Sequence, residues 1–196
     1  MGLKLDVQKG GNNQKKYVLT PNDGAYEAFE FRHASSGIQT TIPLVVMTKY
    51  FATEFSFKKA QERSIIQYLF ERDLTTKYRP EMEIADMQKV VQLHIEEPEL
   101  SLDPNSQRSL INALAKDAFH NNDEDRAVYL MLATHSPYIL NHLNVLLRAS
   151  YHNDGGSSWP FIKPEIVIVY RMVNGGLMNL MATDEDTNED VINTLD

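Results

Sequence analysis

Hydrophobic and polar positions change their period several times along this chain, and each change predicts an element. Residues 3–9 (LKLDVQK) alternate, as a half-buried strand does. Gly10-Gly11-Asn12-Asn13 reads as a turn, and residues 16–20 can return as a second strand. Pro21-Asn22-Asp23-Gly24 is a second turn, ahead of a possible strand over 26–32. Ser35-Ser36-Gly37 breaks the pattern, and the apolar stretch from Ile38 to Phe55 is long enough to favour a helix. Pro43 should then sit in its first turns or kink it. Residues 57–72 carry Ile65, Ile66, Leu69 and Phe70 at helical spacing among charges, an amphipathic helix.

Residues 73–88 read as a connection. The second half changes character. Lys89–Ile95 predicts a short strand ending in acidic residues, and Pro104 opens a helix to about Phe119 with Asp103 as its N-cap. Residues 121–126 read as a polar loop. The nearly all-apolar run 127–133 predicts a strand covered on both faces, and Pro137 opens another helix. Residues 150–160 read as a loop, and 165–173 as a third buried strand. Asn174-Gly175-Gly176 turns it into a hairpin with 177–182. Strand, helix, strand, helix, strand over 89–173 predicts an α/β fold with a mostly parallel sheet flanked by helices, behind an N-terminal antiparallel hairpin. Three units follow from this reading: strands over 1–34, helical segments over 35–88, and an α/β core over 89–196.

Composition narrows the function classes. The 196 residues contain no cysteine, which excludes disulfides, zinc fingers and thiol nucleophiles. The formal net charge of −8 does not attract nucleic acid or anionic lipid by charge alone. No apolar run approaches the ~20 residues of a membrane span, and the N-terminus has no signal-peptide core. No membrane contact and a cytoplasmic location are therefore expected.

In parallel sheets chemistry collects at the carboxyl ends of the strands. That rule singles out HIEEPELSLDP, His94 to Pro104, and ATHSP, Ala133 to Pro137. Of two adjacent carboxylates at a strand end, one can hold a hydrated magnesium ion while the other orients a water. The same residues equally suit a solvated strand end followed by a helix cap. His135 can donate a hydrogen bond to a phosphate oxygen. Ser35-Ser36-Gly37-Ile38-Gln39 places small residues at a helix start, where exposed amides suit an anion.

These clusters, in this order, resemble the C-terminal half of an ABC-type ATPase head of the SMC-like and overcoming-lysogenization-defect-like kind, often described as AAA family ATPases. The resemblance covers about residues 30–182 and implies a partial P-loop NTPase fold. It implies that Ser35, Ser36, Gly37 and Gln39 form the nucleotide-binding signature motif, with Asp103 in the D-loop. Val90–Glu97 corresponds to the Walker B strand, in which Glu97 would position the attacking water. Glu96 stands where the family has Asp, and would act on the water shell of Mg2+. His135 would be the switch histidine. The resemblance further implies ATP sandwiched in a homodimer, with ATP hydrolysis as the activity of the complete protein.

No G-x-x-x-x-G-K-[ST] occurs in the sequence. On this resemblance the chain reads as the C-terminal part of a larger protein, inactive alone, whose partner is the missing N-terminal P-loop half. DNA or an effector nuclease would be further partners. Two alternatives stand beside it: a metal-dependent nuclease using Glu96, Glu97, Glu99 and Asp103, and a non-catalytic interaction module. The ATPase reading requires that the segment beginning at Ser35 is not buried against its own carboxylate pair, and that His135 is not turned into the interior away from Glu97.

Overall fold

Strand β1 (Leu3–Lys9) pairs antiparallel with β2 (Lys15–Pro21), Leu5 lying opposite Leu19, and β2 pairs in turn with the two-residue β3 (Phe29–Glu30). The computed structural model describes residues 3–10, 14–24, 27–72, 89–121, 126–152 and 160–193. The connection expected over 73–88 lies outside these residues, as do parts of the loops expected at 121–126 and 150–160.

Helix α1 (Ser36–Lys49) carries Pro43 in its interior and runs on into a π-helical turn over Tyr50–Glu54. Helix α2 (Phe57–Glu71) follows, capped by the Ser56 hydroxyl, which accepts from the Lys59 amide at 3.3 Å. No residue of α2 is buried.

Strand β4 (Lys89–Glu96) and strand β5 (Arg126–Ala133) lie parallel, with α3 (Pro104–Ala115) in the connection between them. Their register pairs Val91 with Val128, Leu93 with Leu130 and Ile95 with Leu132. Those alternate positions form one face, and that face is closed. Ile95 joins Leu110, Ile111 and Leu114 of α3 in the main core, together with Ile139 and Leu146 of α4 (Pro137–Tyr151). A second cluster gathers Val91 and Val128 with Ala52 and Ala118. Buried Arg126 donates to the Phe51 carbonyl at 2.8 Å and lies over the Phe57 ring, fixing the α1–α2 junction to the start of β5.

After α4 the chain makes a single 3-10 turn at Pro164–Ile166 and then two antiparallel ribbons. Strand β6 (Tyr170–Val173) pairs with β7 (Gly176–Asn179), and β8 (Met181–Thr183) with β9 (Asp190–Ile192).

The mostly parallel, helix-flanked sheet of a P-loop NTPase is therefore corrected. Among the described residues the only parallel ladder is the two-stranded β4–β5, and the other sheets are antiparallel. A third buried parallel strand does not form: of residues 165–173 only Tyr170–Val173 joins a ladder, its four residues are exposed, and its one partner among the described residues is the hairpin strand β7. Asn174 and Gly175 both sit at positive φ, 50° and 79°, the backbone of a tight hairpin turn, so β6 pairs with the strand that follows it in sequence. The expectation that 127–133 is covered on both faces is corrected too. Tyr129 and Met131 point away from the core and are 56% and 60% exposed. Among the described residues, no helix is long and apolar enough to cross a membrane.

Candidate functional site

The carboxyl ends of β4 and β5 lie side by side, because Glu96 and Ala133 are register partners and the Glu97 amide donates to the Ala133 carbonyl at 2.8 Å. Glu97 has a positive φ of 45°, so the chain leaves the ladder there in a sharp turn. Amides of Leu100 and Leu102 close that turn onto the carbonyls of Glu97 and Glu99, each at 3.0 Å. Ser101, also left-handed at φ 61°, aims its carbonyl toward the start of α1.

Neither of the two adjacent carboxylates organises this corner. Glu96 and Glu97 are both exposed, and the bridging acid is Glu99. Its Oε2 accepts from the Thr134 hydroxyl at 2.8 Å and its Oε1 from the His135 amide at 2.7 Å. The Ser136 amide donates to Thr134 Oγ1 at 3.0 Å, and the buried Ser136 hydroxyl donates to Gln107 Oε1. Gln107 returns to the turn by donating to the Leu102 carbonyl at 3.0 Å. The result is a closed polar circuit that ties the 97–103 turn to the β5–α4 junction.

Burial pushes the Glu99 carboxyl up, but the His135 amide and the Thr134 hydroxyl outweigh it, and the group titrates below its ordinary 4.5. A depressed acid stabilises the fold in full above pH 4.5, and that contribution is lost as pH falls through the folded value. Glu99→Gln is accordingly expected to cost about 1 kcal/mol at neutral pH, the size of a charge-assisted hydrogen bond discounted for partial exposure. The penalty should shrink toward zero in acid. Urea unfolding at pH 7 and pH 4 checks this, and an equal penalty at both would show that the charge has no part in the clamp.

The remaining sequence-selected residues are held as follows. Ser35 is the N-cap of α1, its hydroxyl accepting from the Ile38 amide at 3.4 Å, and Ser36 is exposed in the first turn. Gln39 folds back, donating to the carbonyls of Arg32 at 3.1 Å and Ala34 at 2.9 Å. Asp103 caps α3, accepting from the amides of Asn105 at 2.9 Å and Ser106 at 3.2 Å and from the Ser106 hydroxyl. The Ser106 hydroxyl and amide hold the Asp103 carboxyl below its ordinary value. His135 is exposed and enters the circuit through its backbone. Gly37 packs directly on the turn of its own chain: a Cβ there would stand 2.8 Å from the Ser101 carbonyl oxygen and 3.0 Å from Leu102 Cδ2.

No family model matches this chain, and no curated protein matches it. With the fold, this overturns the resemblance to an ABC-type or AAA family ATPase head. Walker B, D-loop and switch-histidine roles are withdrawn with it, as are ATP hydrolysis and a head–head dimer. Among the described residues no group of three or more His, Asp or Glu converges to hold a metal ion, so the nuclease alternative loses the cluster it needed.

Sequence reasoning counted Glu99 only within that acidic cluster and missed the Gln107–Ser136 pair. Its larger omission is the outer face of the parallel ladder. Gln92, His94 and Glu96 of β4 stand beside Tyr129, Met131 and Ala133 of β5, and all of them are exposed.

Proposed function

We propose that this domain is a polypeptide-docking module, in which an extended segment of a partner covers the outer face of β4–β5 and pairs with its open edge. The observation that carries this reading is the asymmetry of the ladder. Its inner face is sealed by α3 and α4, while Tyr129 and Met131 stand more than half exposed on the other. Parallel strands are stable when both faces are covered, and two strands alone are marginal. Among the described residues no other strand pairs with β4 or β5, and a sheet edge is a template for pairing with another chain. Strand addition answers both deficits, since backbone bonds supply affinity and alternate side chains supply specificity. The polar circuit around Glu99 serves this role by holding the ends of the two strands rigid. We place both partners in the cytoplasm.

A photoreactive side chain installed at position 129 or 131 in cells should form an adduct with one polypeptide, and the same group at exposed Ser109 on α3 should not. Replacing the outer pair, Tyr129→Ser with Met131→Ser, should leave the stability of the isolated chain within about 0.5 kcal/mol. The same double variant should abolish association. Loss of several kcal/mol on thermal unfolding, or no adduct at either position, would defeat this reading, the first because it would mean that the face is already packed within the chain.

A further inference from the structure

The segment that follows the 3-10 turn at Pro164–Ile166 is extended without being a ladder strand on its open side. Ile166 and Ile168 are exposed, while Val167 and Val169 between them are half-buried, the alternation of a strand with one face in the core. Val167 packs against the main core, and the Val169 carbonyl accepts from the Leu180 amide at 2.9 Å. Between this segment and the β8–β9 ribbon lies a cleft of about 320 Å³. Val167, Ile168, Tyr170 and Met181 line it with apolar surface, and Thr183 and Asp190 line its polar end.

Asp190 is held in place from two sides. Its carboxylate accepts from the hydroxyls of Tyr151 and Thr183, each at 3.2 Å, and its amide donates to the Tyr151 oxygen at 2.9 Å. Both side-chain partners are neutral hydroxyls, so they orient the carboxylate without adding a charge of their own. Nearby, Arg148 bonds Asp184 at 2.9 Å, and His152 lies 3.2 Å from Glu189. The turn between β8 and β9 also carries exposed Glu185 and Asp186, in a chain of net charge −8. A cleft that mixes apolar walls with polar groups and ends in an oriented carboxylate is complementary to a long side chain with an aliphatic stem and a cationic head, which is lysine or arginine.

We infer that the cleft between residues 164–170 and the β8–β9 ribbon is a binding site for a lysine or arginine side chain carried by an extended, alternately apolar polypeptide. This rests on the proposed polypeptide-docking role and adds a second contact to it, since no residue of β4 or β5 lines the cleft. The cleft reads the basic residue, and exposed Ile168 and Tyr170 receive the apolar neighbours of the same peptide.

The test uses two fluorescently labelled, end-blocked heptapeptides, one alternating valine with lysine and one alternating valine with glutamate, titrated against the full chain by anisotropy. The lysine peptide should bind about tenfold tighter than the glutamate peptide, the scale of one charge-assisted hydrogen bond, and weaken with added salt. Asp190→Asn keeps an acceptor for Tyr151 and should remove most of that preference. Asp190 also anchors the ribbon, so the exposed double variant Glu185→Gln/Asp186→Asn gives a second measure, and it should flatten the salt dependence without lowering the melting temperature. Equal binding of the two peptides, or a lysine preference unchanged in both variants, would overturn the assignment of the cleft. Neither result touches the cross-linking at 129 and 131, whose failure would instead sink the docking role itself.

Discussion

Leu110→Ala is expected to be the most damaging single truncation, lowering the free energy of unfolding by about 2–5 kcal/mol. Leu110 is fully buried, and it lies on α3 where that helix covers the inner face of the parallel ladder. The lost transfer energy of its side chain is only part of the penalty. The rest depends on whether neighbours can close the hole. Here they are held from several directions: Ile95 by the β4–β5 register, Ile139 by the Ser136 cap of α4, and Leu114 by the same helix one turn on. The upper half of the range is therefore expected, with a melting temperature lower by about 2–4 °C per kcal/mol for a chain of this size. Differential scanning calorimetry reads the shift, and Tyr129→Ser in the same ladder is the control that should barely move. A loss under about 1 kcal/mol for Leu110→Ala would mean that α3 does not seal this face.

Gly37→Ala sets two effects of opposite sign against each other. Alanine inside a helix is favoured over glycine by about 1 kcal/mol, which taken alone predicts a more stable protein. The close approach to the next segment predicts the reverse, because a Cβ would stand 2.8 Å from the Ser101 carbonyl oxygen, backbone rather than a movable side chain. That carbonyl is poorly placed to retreat. Its residue is already left-handed at φ 61°, and the turn around it is tied by the Leu100 and Leu102 amides and by the Glu99 clamp. Overpacking against a fixed wall costs about 1–3 kcal/mol, so the clash wins and net destabilisation of about 1–2 kcal/mol is expected. Chemical denaturation gives the sign directly. Faster amide exchange at Ser101 and Leu102 should accompany it, since relief of the contact must open that turn. Stabilisation by alanine would show that α1 stands off from the turn and that its start is free to meet something else.

Local structure was largely legible along the chain. Asp103 followed by Pro104 marks the start of α3, and Ser136 followed by Pro137 marks the start of α4; in each case the side chain caps the helix. These signals are legible because a cap or a proline acts within one turn of itself. The outer face of the ladder was legible in part. Gln92, His94 and Glu96 alternate with apolar residues and announce a solvent-facing side of β4. Tyr129 and Met131 concealed the same fact in β5, because an apolar run does not reveal which of its faces is covered. Residues 165–173 misled for a related reason: they are apolar enough for a buried strand, but Tyr170–Val173 stands exposed in the hairpin.

The candidate site was less legible than the elements that carry it. Glu99 differs from Glu96 and Glu97 in nothing that composition records. It becomes the bridging acid because the turn at Glu97 reverses the chain and points position 99 at the β5–α4 junction. Gly37 likewise belongs to a small-residue helix start that suits an anion, until Ser101, sixty-four positions later, occupies that space.

Helix starts, the Asp103 cap, the turn at Asn174-Gly175 and the alternation of β1 are properties of neighbouring residues, and the amino-acid order was sufficient to state them. Which carboxylate is bridged, which glycine is pressed against a carbonyl and which face of the parallel ladder lies bare are relations between segments separated by tens of residues. Only the packed chain decides those, because short-range preferences set the conformation of each segment while the closing of the core sets which segments meet.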